Sequence, residues 1–271
     1  PGITMTLNNL GLLYRDTQRM KEAESAYQEA LTLRRELARD NPAAFLPNVA
    51  GILNNLGALY SATQRMKEAE SAYQEALTTY RQLARDNPAA FLPGVATTLN
   101  NLGNLYSATQ RVKEAESAYR EALTLRRQLA RDNPAAFLPD VAMTLNNLGN
   151  LYSATQRMKE AESAHREALS LRRQLARDNP AAFLPNLATT LNNLGNLYRA
   201  TRRMKEAESA YQEALTTYRQ LARDNPAAFL PSVAETLNNL GVLYSATQRM
   251  KEAESAYREA LTLRRQLARD N

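Results

Sequence analysis

An eight-residue pattern, Leu-Asn-Asn-Leu-Gly-x-Leu-Tyr, returns every 46 residues along this chain of 271 residues. A fixed period of this size is typical of a solenoid, in which each repeat packs only on its neighbours. We therefore predict one solenoid over 1–271 instead of one or two globular domains. Its six repeats span 1–46, 47–92, 93–138, 139–184, 185–230 and 231–271.

Each repeat carries two stripes of apolar residues at helical spacing, which are described here for the third repeat. The first stripe predicts a helix A over roughly 93–108, with Pro93 in its first turn, where its missing N–H costs nothing. The second stripe begins at Val112 and predicts a helix B of about twenty residues. A short connection at 109–111 joins the two helices, so each repeat is predicted to be a helical hairpin.

An Asn-Pro pair separates each helix B from the next repeat. Asn133 precedes Pro134, and a residue before proline is pushed out of the helical region, so helix B is expected to end there. Asparagine is also a good helix cap. We expect a short capped turn over 134–138 before Pro139 opens the next helix A.

The order of small and aromatic residues in this hairpin resembles the tetratricopeptide repeat signature. The matching positions are Leu99, Leu102, Gly103, Tyr106, Ala115, Tyr119 and Ala122, and they return in all six repeats except that the fourth has His165 in place of the tyrosine of helix B. The resemblance implies an all-α fold, an α-solenoid of six tandem helix-turn-helix repeats forming a right-handed superhelix whose A helices line a concave groove. The repeat is longer than is usual and is similar to those of kinesin light chains and of bacterial signalling proteins. Gln110 stands where the family commonly has a glycine.

Composition excludes several classes of protein. The net charge of +6 is spread over repeats that each mix acidic and basic residues, which does not predict a groove for a polyanion. No cysteine is present, and the apolar runs are far too short to span a bilayer. The printed sequence opens in register with a repeat boundary, and its first residues do not show a signal-peptide pattern. We expect a cytoplasmic segment of a longer array, with no membrane association.

The sequence offers no basis for catalysis. It has no glycine-rich phosphate loop and no cluster of metal-ligand residues, and every acidic residue belongs to a repeated surface pattern. The one histidine, His165, occupies a position that is tyrosine in the other repeats and is interpreted as a packing substitute. We therefore predict no enzyme activity, no cofactor and no metal.

The polar side of helix A carries short amides in place of the usual lysines and glutamates. The first row is Asn8, Asn54, Asn100, Asn146, Asn192 and Asn238. The second row is Asn9, Asn55, Asn101, Asn147, Asn193 and Asn239, and a third, shorter row is Asn104, Asn150 and Asn196. An amide can pair with both the N–H and the C=O of a peptide unit.

Two roles remain open for these amides. The resemblance implies that the second row holds an extended peptide, as asparagine ladders do in this family, and the third row is placed at the same site. Alternatively, the amides bond to neighbouring helices and order the stack, which is the favoured role for the first row. The carboxylate clamp of the family is not expected, since it needs lysine or arginine on helix A and these positions are almost all neutral.

The predicted function is a non-enzymatic scaffold whose groove binds an extended peptide or a partner domain. The alternative is a structural or regulatory arm of a larger bacterial signalling protein, with no ligand of its own. A ridge formed by Arg126, Arg127 and Arg131 suggests nucleic acid, but acidic residues interleave with it and no stacking aromatic residue accompanies it. The last helix B keeps the apolar pattern of an internal repeat, which predicts weak end-to-end self-association.

Overall fold

The computed structural model describes residues 2–270, which form twelve α-helices and no β-strand. Odd-numbered helices are the A helices and even-numbered helices are the B helices. The prediction of tandem helical hairpins is confirmed. Helices α1 to α12 span Gly2–Asp16, Met20–Asp40, Pro42–Ala62, Met66–Asp86, Pro88–Ala108, Val112–Asp132, Pro134–Ala154, Met158–Asp178, Pro180–Ala200, Met204–Asp224, Pro226–Ala246 and Met250–Asp270.

Helix A begins five residues earlier than the sequence analysis placed it, at Pro88 instead of Pro93 in the third hairpin. Asn87 is the N-cap: its side-chain Oδ1 accepts the N–H of Ala90 at 3.2 Å, and its backbone oxygen accepts the N–H of Phe91 at 3.3 Å. The expected separate turn is therefore wrong. Pro93 lies inside the helix, where it forfeits one backbone hydrogen bond. The cap and the burial of the rest of the helix outweigh that loss.

The same correction applies to the junction around Asn133. Residues 134–138 belong to the first turns of α7, and Asn133 Oδ1 accepts the N–H of Ala136 at 3.2 Å. The N–H of Asn133 bonds the carbonyl of Leu129 at 3.0 Å, so this residue also closes the preceding helix B. One asparagine thus ends a B helix and starts an A helix.

Backbone contacts divide the chain into two compact units, Pro1–Phe137 and Leu138–Asn271. Within the first unit, α2 packs on both α1 and α3, and α4 packs on both α3 and α5. Within the second unit, α10 packs on both α9 and α11. The backbones of consecutive A helices also come close to one another (α1 with α3, α3 with α5, α9 with α11), whereas among the described residues the B helices of a unit meet only through their side chains. The A helices therefore form the more closely packed face, and the predicted single solenoid over 1–271 stays a prediction.

The contact inside each hairpin depends on a glycine of helix A. A Cβ atom built on Gly103 would lie 2.5 Å from the ring of Tyr119 on helix B, which is closer than atoms can approach. Ala115 and Ala122 on the same B helix are fully buried. Small residues thus let the tyrosine ring pack closely against the backbone of helix A.

The turn between the two helices has the geometry of a Schellman motif. The N–H of Arg111 bonds the carbonyl of Tyr106 at 2.8 Å, and that of Gln110 bonds Ser107 at 3.1 Å. Gln110 has a φ of 59°, in the left-handed region where glycine is preferred. Every hairpin repeats this conformation with glutamine or, at Arg202, arginine. The glycine of the family's turn therefore corresponds to a strained residue here.

Candidate functional site

The first asparagine row lies between successive A helices. Asn54 Nδ2 donates to Thr98 Oγ1 at 2.8 Å, and Asn192 Nδ2 donates to Thr236 Oγ1 at 2.9 Å. Both threonines are fully buried. The largely buried amides of Asn100, Asn146 and Asn192 lie in the same row. These contacts give the first row a role in joining neighbouring repeats.

The second row is half-buried at the edge of the same contact. Asn55 Nδ2 donates to Asn8 Oδ1 at 2.9 Å, and Asn193 Nδ2 donates to Asn146 Oδ1 at 3.1 Å. Each of these two amides keeps its own Oδ1 and one N–H without a partner among residues 2–270. The side chain of Asn101 forms no hydrogen bond at all in that range. The second row therefore has polar groups available to a ligand.

The remaining second-row residues are spread along the A helices in the same register. Asn9 is exposed, while Asn147 and Asn239 are half-buried. Within each unit, every A helix thus contributes one amide of this row.

The third row connects the two helices of one hairpin. Asn104 Oδ1 accepts the hydroxyl of Tyr119, and Asn196 Oδ1 accepts that of Tyr211, both at 2.7 Å. In the fourth hairpin His165 replaces the tyrosine, and Asn150 receives no such bond within the described part of the chain. The phenols fix the orientation of the amides beside the second row.

His165 packs in the tyrosine position against Gly149, where a Cβ would lie 2.6 Å from the ring. Its side chain is 1% exposed, and its Nδ1 has no hydrogen-bond partner. Burial, helped by the nearby charge of Arg172, lowers the pKa of His165 to about 4. The imidazole is therefore neutral at pH 7.

One arginine position of helix B is buried, which the pattern of charges along the sequence did not predict. Arg126, assigned above to an exposed ridge, is only 2% exposed and donates from Nη1 to Asn100 Oδ1 at 3.3 Å. Arg172 is 6% exposed and donates from Nη1 to the carbonyl of Asn186 at 2.6 Å and to Thr190 Oγ1. Burial lowers the pKa of Arg172 to about 10. A comparison of the repeats could have indicated that this position is buried, because it is tyrosine in the second and fifth copies.

The arginine that directly follows this buried position is exposed, and it forms an ion pair with a glutamate of the next B helix. The N–O distances are 2.5 Å for Arg35–Glu75, 2.6 Å for Arg81–Glu121, 2.7 Å for Arg173–Glu213 and 2.6 Å for Arg219–Glu259. Positive charge on this face is thus balanced by carboxylates of the adjoining repeat. These ion pairs give no support to a continuous basic surface for nucleic acid.

A second ion-pair network is built around the arginine that follows the A–B turn. Arg65 binds Glu24 of the preceding repeat at 2.7 Å and Glu68 of its own helix at 2.9 Å, with its guanidinium 4.3 Å from the ring centre of Tyr60. The hydrogen bond from Arg65 lowers the pKa of Glu68. The charged side chains near the turns therefore join one repeat to the next.

Residues 2–270 contain no group of three or more side chains arranged to hold a metal ion. In the same range, no helix combines the length and the apolar character that crossing a membrane requires.

A family model described as tetratricopeptide repeat matches 2–82, 48–128, 94–174, 140–220 and 186–266. The chain belongs to the tetratricopeptide repeat family. Repeats of this family generally mediate protein–protein interaction and are typically non-catalytic scaffolds. No curated protein sequence matches the chain.

Solved structures with the same fold share little sequence with this tetratricopeptide repeat protein. BtubC (BKLC) from P. vanneervenii has a TM-score of 0.74 at 22% identity, over 92% of each chain. The apo form of RapI has a TM-score of 0.66 at 12% identity, over 98% of this chain and 99% of its own. A putative kinesin light chain of Podosopora anserina with nearly identical TPR-like repeats has a TM-score of 0.62 at 15% identity, over 80% and 96%. These similarities concern the fold, and they include the kinesin-light-chain-like repeats that the sequence resembled.

Proposed function

We propose that this chain is a non-enzymatic interaction scaffold that binds an extended peptide or a partner domain on its A-helix face. The observation that carries the proposal is the difference between the asparagine rows. Amides of the first row bond between repeats and their remaining polar atoms are buried, whereas the half-buried Asn55, Asn101 and Asn193 keep hydrogen-bonding groups that nothing in residues 2–270 occupies. An amide with a free carbonyl and a free N–H matches the two polar groups of a peptide unit.

The hydrogen bonds of the second row favour binding as well as packing. The bond from Asn55 to Asn8 holds the amide plane in one orientation before a ligand arrives. A group that is already ordered loses less conformational entropy on binding. The same bond that strengthens the stack therefore prepares the contact surface.

The charge distribution favours binding to the backbone of a partner peptide over binding to its charged side chains along most of this face. The arginine–glutamate pairs lie on the B helices and around the turns, whereas the amide rows are neutral. Hydrogen bonds to a peptide backbone do not read side chains, so the row fits a partner in extended conformation. One protein of the same fold, a Rap protein, was solved in complex with Competence and Sporulation Factor, at 13% identity and a TM-score of 0.59.

The alternative function is a structural or regulatory arm of a larger bacterial signalling protein. It is favoured by the bonds that Asn55 and Asn193 make to the preceding A helix, which order the stack without any ligand. In that case the asparagines would matter for stability alone.

A double variant, Asn101→Ala with Asn239→Ala, separates the two functions. Neither side chain forms a hydrogen bond among residues 2–270, so the variant is expected to keep the thermal midpoint of the wild type. Loss of two ligand hydrogen bonds is expected to weaken partner binding by about tenfold or more. Partners retained from lysate by the wild type should be depleted on this variant.

The matched control replaces two exposed arginines of the B helices, Arg85→Ala with Arg223→Ala, and should retain the same partners. If the asparagine variant and the arginine variant retain partners equally, the peptide-binding function is wrong. If the asparagine variant instead loses stability, the structural role is supported.

A further inference from the structure

In the second unit, a trough of about 700 Å³ lies between the B helices α8 and α10. We call it the α8–α10 trough. Its floor is apolar and includes Leu169 from α8 with Leu191 and Leu194 from α9. No residue of the three asparagine rows lines it, so the trough is separate from the surface proposed above. The charged residues of its walls are Arg166, Arg173, Arg177, Glu206 and Glu213.

Tyr198 of α9 also lines the trough, and its hydroxyl group has no hydrogen-bond partner among residues 2–270. At the equivalent place in the first unit, Gln28 of α2 donates from Nε2 to Tyr60 OH at 3.2 Å, and glutamines of α4 and α10 make the same kind of bond. In α8 this glutamine is replaced by Arg166. Tyr198 is only 7% exposed, so its unbonded hydroxyl group favours a ligand that enters the trough.

Ser170 supplies a second free hydroxyl group in the wall. Its position is threonine in every other repeat. Thr32 and Thr216 bond the carbonyl four residues earlier at 2.9 Å, whereas the side chain of Ser170 makes no hydrogen bond in the described part of the chain. The missing methyl group also leaves additional space. A serine at this position thus offers both room and a donor.

Both glutamates of the walls are already paired with arginines. Glu213 binds Arg173 at 2.7 Å, and Glu206 binds Arg203 at 2.9 Å. Their negative charges are therefore balanced before a ligand arrives, and they do not compete for the two other arginines of the trough.

Those two arginines leave positive charge in the walls. Arg177 is exposed and forms no ion pair or hydrogen bond through its side chain within residues 2–270. Arg166 makes only a long contact of 3.5 Å with Glu162, whose other oxygen binds Arg203 at 2.7 Å. One carboxylate is thus shared between two guanidinium groups.

The corresponding positions of the first unit carry the opposite balance of charge. Gln28 and Glu36 stand where the trough has Arg166 and Gln174. The first unit therefore has one arginine fewer and one glutamate more at this place. An anion is expected to distinguish the two units.

We propose that the α8–α10 trough binds an organic anion with an apolar body. Its carboxylate or phosphate head accepts hydrogen bonds from the guanidinium groups of Arg166 and Arg177 and from the free hydroxyl groups of Tyr198 and Ser170. Charge-assisted hydrogen bonds of this kind are among the stronger ones in proteins. The apolar body lies on the leucines of the floor. This inference goes beyond the scaffold function, because the trough and the amide rows are different surfaces.

The test uses the full chain and four probes in ligand-detected NMR titrations at low ionic strength. They are hexanoate, hexyl phosphate, the neutral hexanamide, and acetate, which lacks the apolar body. The tighter of the two six-carbon anions identifies the preferred head group and is expected to bind about fivefold more tightly than hexanamide. It is expected to bind about tenfold more tightly than acetate, because roughly two more methylene groups would be buried.

Variants taken from the chain's own repeats control the experiment. Arg166→Gln with Ser170→Thr copies the fifth repeat and is expected to weaken binding of the six-carbon anion about tenfold. Tyr198→Phe keeps the shape of the trough and should weaken binding about threefold. Arg177→Gln should weaken it as well, whereas the matched Arg85→Gln on α4 should not. Thermal unfolding verifies that each variant is folded.

The reciprocal variant transfers the trough to the first unit. Gln28→Arg with Thr32→Ser and Glu36→Gln gives α2 the corresponding residues of α8. The number of six-carbon anions bound per chain is expected to rise from one to two.

The inference is overturned if the six-carbon anions bind no more tightly than hexanamide or acetate, or if no probe binds at millimolar concentration. It is also overturned if the Arg166→Gln, Ser170→Thr variant binds as the wild type does. These outcomes do not bear on partner binding by the Asn101→Ala, Asn239→Ala variant, so the trough and the scaffold function are tested separately.

Discussion

Replacing His165 with tyrosine is expected to remove the acid sensitivity that this buried imidazole gives to the protein. His165 is buried against Gly149, and its pKa is lowered from 6.5 to about 4 because burial penalises the charged imidazolium. The unfolded chain therefore binds a proton near pH 6.5, whereas the folded chain resists protonation until pH 4. Below pH 6.5 the unfolded state holds more protons, so the free energy of unfolding falls as the pH falls.

The size of the effect follows from that difference in pKa. Each pKa unit corresponds to 1.36 kcal/mol, so the loss of unfolding free energy reaches about 3 kcal/mol near pH 4. Above pH 6.5 the imidazole is neutral in both states and contributes no pH dependence. At pH 7 the tyrosine variant is expected to be at least as stable, because a phenol can donate to Asn150 as Tyr119 donates to Asn104 at 2.7 Å.

Urea denaturation of the wild type and of His165→Tyr at pH 7, 6, 5 and 4.5 measures this difference. Acid effects that come from the shared carboxylates cancel between the two proteins. The reciprocal variant Tyr119→His should create a similar acid sensitivity in the third hairpin, where its ring would pack on Gly103. A stability difference between wild type and His165→Tyr that stays constant with pH would refute the reasoning.

Three further outcomes are expected. Gln110→Gly should raise the free energy of unfolding by about 0.5–1 kcal/mol in thermal denaturation, because its φ of 59° strains any residue with a Cβ; a lower midpoint would contradict this. Gly103→Ala should lower it by about 2 kcal/mol or more, since the new Cβ would meet the Tyr119 ring at 2.5 Å; an unchanged midpoint would show that the ring moves aside without cost. Met250 and Leu261 on α12 are 54% and 48% exposed, so weak end-to-end association should appear in sedimentation at high concentration; a monomer throughout would exclude it.

Periodicity was sufficient to predict the helices, because each stripe of leucines and tyrosines is long and unbroken. The start of helix A was misplaced because Pro93 looks like a first-turn residue when the sequence is read alone. Asn87 overrides that signal: its side chain and carbonyl cap the helix one turn and a half earlier. The N-cap asparagine and the proline are both signals for the start of a helix, and the sequence alone does not show which of them marks the first turn.

The asparagine rows were recognised from the sequence, but which row bonds between repeats and which keeps free polar groups was only partly predicted. Asn54 and Asn55 are adjacent and chemically identical, so only their partners distinguish them: Thr98 for the first and Asn8 for the second. The buried Arg126 was missed because arginine is rarely buried, and its position became interpretable only when compared with Tyr80 and Tyr218.

The constant offset of the bonds between repeats has a consequence for how genes of this kind change in length. The bonds Arg65–Glu24, Arg111–Glu70, Arg203–Glu162 and Arg249–Glu208 each join residues 41 positions apart. Removing 47–92 by recombination would place Arg111 at that same distance from Glu24, since one period is 46 residues. Arg111 would then replace Arg65 as the partner of Glu24, so the ion pair at the new junction would be kept. Whole periods can therefore be gained or lost without a compensating point mutation at these contacts, whereas an insertion of any other length would separate the partners.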